Sequence, residues 1–444
     1  MRHARLAIGV ALAVLLIAGT ESSDILAQTS LTLEDAIKRA QAETADARAL
    51  ASAIDEADAR IQRAQSGFWP RVDVSEAVQR GNQPVFVFSS LLSQRQFTAA
   101  NFAIPALNHP DPITNTRTAV LVEQPVFNAG LTRLGVRAAR LDREMAMATR
   151  DAADQDLAFR AAQAFVRVLQ LEATVRATDA AVAAAESDHQ RARARRDVGL
   201  ATEADGLAVD VHLADMRQRQ ISATGDLTVA RIQLAEAVGL PLTTSVVLVR
   251  PTARTMATDD GTLVQEALKT HPQLHQANVR LQLADNRRRT ARAALLPTVG
   301  VQGGWEFNGA TLGAQTSSWV IGAELRVNVF RGFADAARIS EANHAHVGAV
   351  ADRERVERRI EVDVRGALAQ LAAARAREEA GRAALAQAQA SQRIIRDRYD
   401  SGLATVTDVL RAAEATLDAE SRATTAEMDV ILQAVALDRA LGRL

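Results

Sequence analysis

Proline placement limits this fold before any other feature does. The chain has ten prolines, all at or before Pro297, and none lies between Pro125 and Pro241 or after Pro297. Proline breaks a helix interior because its ring clashes with the preceding turn and its nitrogen has no hydrogen to donate. The two proline-free stretches can therefore carry helices of unusual length. From Thr132 to Asp197 the residues are mostly Ala, Arg, Leu, Glu, Asp and Gln, several of them strong helix formers. A helix of that extent would run roughly 100 Å at ~1.5 Å per residue. Leu134, Ala138, Leu141, Met145, Ala148 and Ala152 step by four and three, as do Ile360, Val364, Ala367, Leu371 and Ala374. This spacing is coiled-coil-like, with small residues that allow close helix approach.

Each long stretch is broken by one turn, and the two turns are nearly the same. "DVGLATEAD" ends at Asp205 and "DSGLATVTD" ends at Asp408. Gly199 and Gly402 accept the left-handed conformation that closes a helix, with Leu200 and Leu403 placed to pack back on its last turn. Thr202 and Thr405 cap the next helix, and Asp205 and Asp408 complete a capping box. Asp197 and Asp400 face the negative end of a helix dipole and need a favourable partner, expected to be Arg193 or Arg396, or a contact between chains at the tip.

The duplication extends along the chain. Thr32-Leu33 through Lys38 resembles Thr262-Leu263 through Lys269, "FWP" at Phe68 resembles "LLP" at Leu295, and Val126-Phe127 with Gly130 resembles Val329-Phe330 with Gly332. The expected organisation is a signal peptide over 1–27, a first repeat over 28–240, a connector over 241–261 and a second repeat over 262–444. Each repeat reads helix, strand, strand, very long helix, turn, helix.

The strand segments alternate. In Thr298–Asn308, Val299, Val301, Trp305 and Phe307 share one face; in Ser318–Val329, Trp319, Ile321, Leu325 and Val327 do so. Weaker partners lie at Arg71–Gln79 and Asn115–Val126. Each is about the ~9–11 residues that cross an outer-membrane hydrocarbon layer when tilted. The opposite face would carry Arg117, Glu123, Glu306, Glu324 and Arg326, lining a lumen. Four strands fall short of the smallest barrels, which have about eight, so several chains would have to build one. The other reading is a small soluble sheet packed on a helix.

Arg2 and Arg5 followed by the apolar run Leu6–Ala18, with small residues up to Ala27, read as an export signal too short to span a bilayer. The chain has no cysteine, a net charge of −1 and two lysines, Lys38 and Lys269, neither following glycine. These facts exclude disulfides, thiolate chemistry and a Walker A loop, and nothing global points to nucleic acid. His271 and His275 are four apart but lack an HExxH pattern, His344 and His346 have the wrong spacing for one helix face, and Arg287–Arg289 with Arg292 reads as a solvated helix face. No catalytic residue, cofactor or metal is expected. Residues 80–114, with Phe86, Phe88, Phe97 and Phe102, are expected to be a long extracellular loop with its own small cluster, or else a lid folded into a barrel mouth.

The order and duplication of these motifs, with the "PVFNAG" and "NVFRG" junctions and the paired "GLAT" turns, resemble the outer-membrane efflux channel family, the TolC-like outer membrane factors. The likeness covers essentially all of the chain after the export signal. It implies an α+β membrane protein: a homotrimer whose twelve strands, four per chain, form one outer-membrane β-barrel continuing into a long α-helical coiled-coil tunnel in the periplasm. It implies a passive duct recruited by a periplasmic adaptor protein and an inner-membrane pump in a tripartite efflux or type I secretion system. It implies adaptor docking at Gly199, Leu200, Ala201, Thr202, Gly402, Leu403, Ala404 and Thr405, and a periplasmic gate at Asp205, Asp408, Tyr399 and its first-half counterpart Arg196. Ala404 and Arg411 depart from the family pattern of a linking arginine and a second acid below Asp408. The reading from another class is an exported coiled-coil structural or adhesive protein with a small soluble sheet.

Overall fold

The computed structural model describes residues 30–199, 201–251 and 260–444. The expected export signal, Leu200 and residues 252–259 of the connector lie outside the described residues. In chain order the elements are β1 (Ser30–Leu31), α1 (Leu33–Glu43), α2 (Ala45–Gln65), β2 (Arg71–Gly81), α3 (Pro84–Ser93), α4 (Ile104–Asn108), β3 (Ile113–Phe127), α5 (Leu131–Asp197) and α6 (Glu203–Ala237). They continue with β4 (Val247–Leu248), α7 (Asp260–Thr270), α8 (Pro272–Ala293), β5 (Thr298–Gly309), β6 (Gln315–Arg326), α9 (Ala334–Asp400) and α10 (Val406–Ala440).

The long helices α5 and α9 each have 67 residues, and the return helices α6 and α10 each have 35. At ~1.5 Å per residue, α5 and α9 each extend roughly 100 Å. Packing holds them. Phe165, Val168 and Leu171 of α5 meet Leu234 of α6 and Ala36 and Ala40 of α1 in one core. Ile360, Val364, Leu371 and Ala374 of α9 meet Leu437 of α10 and Val264 of α7 in a second. The α9 stripe expected from the sequence is thus the buried one. In the upper part of α5 the seam is displaced, with Val136 and Ala139 buried beside Leu141 and Ala148. Val166 of α5 meets Met428 and Ile431 of α10 in a smaller cluster that borders the first core through Leu33 and Leu169.

The helix before each strand pair is broken in two, at Thr44 and at His271. Thr44 caps α2 by accepting from Ala47 N–H, and His271 caps α8 by accepting from Gln273 N–H at its Nδ1. His271 is therefore a buried helix cap. Both breaks receive the end of a return helix. Gly239 (φ +70°) would, with a Cβ, come within 3.1 Å of Glu43 backbone, and Gly442 (φ +69°) within 2.9 Å of the Pro272 ring. Left-handed backbone and lack of space each require glycine there.

Strands β2, β3, β5 and β6 form one antiparallel sheet in that order. Strand β6 runs from Gln315 to Arg326, so Val327 falls outside it, unlike the expected span. Its ladder ends at Thr298↔Arg326 because the preceding Pro297 has no N–H to offer a further rung.

The repeated turns have the expected capping boxes. Asp205 accepts from the N–H and hydroxyl of Thr202 at 3.0 and 2.8 Å, and Asp408 accepts from those of Thr405 at 3.0 and 2.7 Å. Gly199 and Gly402 are left-handed, with φ +73° and +75°. The Leu403 N–H closes back on the Arg398 carbonyl at 2.7 Å, yet its side chain is 69% exposed and does not pack on the last turn as expected. The backbone bond closes the turn without it.

The Thr405 backbone N–H and then its hydroxyl hold the Asp408 carboxyl below the usual aspartate range, with Arg411 and Arg398 adding to the effect. A lowered folded-state pKa contributes stability above the ordinary aspartate value and loses it as pH falls through the lowered one. Amide exchange in the first turn of α10, corrected for intrinsic rate, should therefore show protection at neutral pH that falls on acidification. Asp408→Asn should be less protected at neutral pH and show no such acid step; equal pH profiles would dismiss the cap as its source.

Candidate functional site

The register divides the sheet into two chemically different faces. On one, Val72 pairs with Val122, Val74 with Val120, Val120 with Trp305, Trp305 with Trp319, and Val299 with Leu325. Val301, Ile321 and Phe307 share it by parity. Trp305 and Trp319 are directly opposite and both exposed. Beyond them toward the β2–β3 and β5–β6 loop ends, the same face turns polar at Glu76, Thr118 and Ser317. From the Val299 row, where Phe127 pairs, downward lies a second exposed aromatic set, Trp69, Phe127, Phe330 and Phe333, with Phe330 and Phe333 edge to face at 5.4 Å.

The other face carries the expected charged residues together. Arg117 of β3 pairs with Glu306 of β5, Arg71 bridges to Glu123 at 3.4 Å, and Arg326 bridges to Glu324 at 2.9 Å. Neither face is covered by helix over most of its height, and most apolar side chains of the first face stay exposed. The outer edges of β2 and β6 carry no strand partner among the described residues.

At the far end of the long helices, the predicted tip residues are brought near one another but bonded differently from expectation. Tyr399 packs beside Ala192, Val209 and Val406. The guanidinium of Arg195, not Arg196, lies 4.5 Å above its ring and donates to its carbonyl at 3.2 Å. Arg196 pairs with Asp197 at 3.6 Å. Arg396 reaches across to Asp188 of α5 at 3.2 and 3.3 Å, where Arg191 also donates. It is thus committed elsewhere than to Asp400. Asp188 is only 12% exposed, and partly desolvated ion pairs lose the most when one member is removed. Sequence reasoning missed Asp188 and Arg195: the partners sit on different helices, and no local pattern signals a contact 208 residues away. Asp205 and Asp408 are held in their own caps, with no bond to Tyr399 within the chain among those described.

Return helix α6 keeps an exposed apolar stripe, Leu207, Val211, Ile221 and Ile232, and α9 exposes Val362 and Ile394. Among the described residues there is no cluster of three or more metal-ligating side chains, and no helix is long and apolar enough to cross a membrane.

The profile of the family described as outer membrane efflux protein matches residues 36–240 and 263–443. The chain is 24% identical over 426 residues to the outer membrane efflux protein BepC of Brucella suis, covering 94% of this chain and 87% of that one. It is 26% identical over 306 residues to the outer membrane protein TolC of Vibrio cholerae, covering 66% and 69%. Among solved structures, the CmeC outer membrane channel of Campylobacter jejuni superposes with a TM-score of 0.79 at 16% identity, covering 93% of this chain and 85% of that one. With a sheet of two faces, two long helical hairpins and a family match over nearly all described residues, the chain belongs to the outer membrane efflux protein family.

Proposed function

We propose that three copies of this chain form a passive export duct in the outer membrane, extending into the periplasm, with no chemistry of its own and no cofactor. The observation that carries the reading is the two-faced sheet with two open edges. An exposed apolar face bounded by aromatic rows suits lipid, and a charged opposite face suits a lumen. From the Val299 row to the Trp305 row the band covers six residues (305 − 299), ~20 Å along a strand at ~3.4 Å each, or ~16 Å of height at a ~40° tilt. The lower aromatic set extends it toward the ~25 Å of outer-membrane barrels. Joining β6 of one copy to β2 of the next would satisfy both edges. Three copies of four strands would give a twelve-stranded barrel.

The exposed stripes on α6 and α9 support contact between copies along a helical tunnel. The two matched chain segments and the equal helix lengths support a duplicated chain, with repeats over 28–240 and 262–444 joined by 241–261. The tips around Gly199, Ala201, Thr202, Gly402, Leu403, Ala404 and Thr405 suit docking of a periplasmic adaptor, since Leu403 is exposed and available, and an inner-membrane pump would supply energy. Tyr399, Asp205, Asp408 and Arg196 are assigned to the periplasmic gate, with Arg195–Tyr399 and Asp188–Arg396 as links between the two hairpins of one chain. Arg411 beside Asp408 argues against a double acidic ring. A soluble adhesive protein would leave the Trp305–Trp319 row in water.

Two measurements test this reading. Ile321 and Val320 are neighbours with nearly equal exposure, 70% and 68%, on opposite faces. Arginine on the lipid face near mid-bilayer costs ~2–4 kcal/mol, so Ile321→Arg should deplete assembled protein in the outer-membrane fraction while Val320→Arg assembles. Equal outcomes would contradict the assignment of faces. In planar bilayers the wild type should give discrete openings, and Arg195→Ala with Arg396→Ala should enlarge them several-fold. Unchanged openings in this variant and in Tyr399→Phe with Asp205→Ala would remove these residues from the gate.

A further inference from the structure

The geometry points to an inward-folded lid at the extracellular mouth, built from residues 84–108, whose apolar edge meets the same edge of the other copies. This rests on the channel reading above, but the observations are separate. The segment joins β2 to β3 at the end of the sheet away from the long helices. It is ordered by its own contacts: Phe88, Phe97 and Phe102 form a chain of edge-to-face rings at 4.8 and 5.1 Å, and Asn101 caps Thr98 at 2.8 Å.

Its bonds to the sheet fall on the charged face. Gln94 donates to Asn115 Oδ1 at 2.9 Å, and Asn115 donates to Asn308 Oδ1 at 3.0 Å. Both asparagines share the Arg117–Glu306 face by register parity, and all three amides are buried. Thr316 donates to the Ser93 carbonyl at 2.6 Å, and Arg95 donates to the Ser317 carbonyl at 3.2 Å. A Cβ on Gly81, also on this face, would lie 3.7 Å from Phe86. Arg95 holds a left-handed backbone, φ +55°, a conformation that persists where surrounding bonds fix it. The segment is therefore fastened over the polar face by side-chain bonds, not splayed outward as a free loop.

Size decides what such a placement does. Twelve strands ~4.8 Å apart and tilted ~40° close a ring about 24 Å across between backbones. A helix with its side chains is ~10–12 Å thick, so three inward lids would fill most of that ring. Helix α3 buries Val87 and Ser90, and Gln94 just after it is buried on the sheet. The helix leaves Val85 and Leu92 exposed, and Phe102 and Ile104 are exposed as well. These four would face the axis, where only the other copies can cover them. The mouth would then carry a constriction in series with the periplasmic tips, and cargo must displace it.

The chain has no cysteine, so one introduced thiol reports the lumen. Gln302 lies deeper on the charged face, paired with Glu123 and Gly322. In whole cells, Gln302→Cys should react slowly with a bulky polyethylene-glycol maleimide added outside. Replacing 84–108 with a short Gly/Ser turn should speed the reaction by at least an order of magnitude, as should Gln94→Ala with Arg95→Ala, which keeps the segment and serves if the replacement fails to assemble. Fast labelling regardless of the lid would overturn the lid and leave the channel standing. No labelling in any assembled, membrane-retained variant would overturn the lumen, and with it the channel reading. Release of the protein by high salt would do the same.

Discussion

A four-stranded antiparallel sheet with two unpaired edges and water on both faces is not a stable end point, and the rest of this molecule follows from that. Unpaired edges recruit other strands, and an apolar face bearing Val72, Val74, Trp305, Trp319, Ile321 and Leu325 cannot stay in water. Closure with further copies would remove the edges, and a lipid surround would remove the exposed face. The proposed closure would also turn Arg117, Glu123, Glu306, Glu324 and Arg326 inward, where mutual pairing and water would satisfy them. The same register that makes one face apolar makes the other charged.

The helices extend this geometry away from the sheet. Each hairpin buries a seam between a 67-residue helix and a 35-residue return helix, and each return helix ends on a left-handed glycine seated in a helix break. The seams fix the hairpins internally. Between the hairpins the tip holds one small apolar cluster, Ala192 and Val209 with Tyr399 and Val406, beside the Asp188–Arg396 and Arg195–Tyr399 links. A boundary of so few contacts would separate at smaller cost than the packed seam within each hairpin, which suits the gate proposed there.

What was legible in the sequence was local. The proline-free stretches, the Gly-Leu-Ala-Thr turns with their capping boxes and the alternation of β5 each depend on residues a few positions apart, and the structure has them. Where neighbours in space decide, the sequence was silent. Val327 continues the alternation but lacks a rung, because the residue that would oppose it is Pro297, which precedes β5. Leu403 satisfies the pattern of a residue that packs back, yet its side chain stays exposed while its backbone N–H closes the turn. Arg396 matched Asp400 by proximity in sequence and is taken by Asp188 instead. The run from Pro84 to Ser93 mixes β-branched and aromatic residues that favour strands; it is helical instead, with Val87 and Ser90 buried and the next residue, Gln94, bonded to Asn115 of the sheet.

The central claim is that this sheet is completed only by other copies of the chain in a membrane. Native mass spectrometry of protein extracted by detergent from salt-washed outer membranes tests it most directly. The account predicts a particle of three chains that withstands the wash and survives transfer from detergent. A single chain, or protein already lost to the high-salt wash, would contradict it.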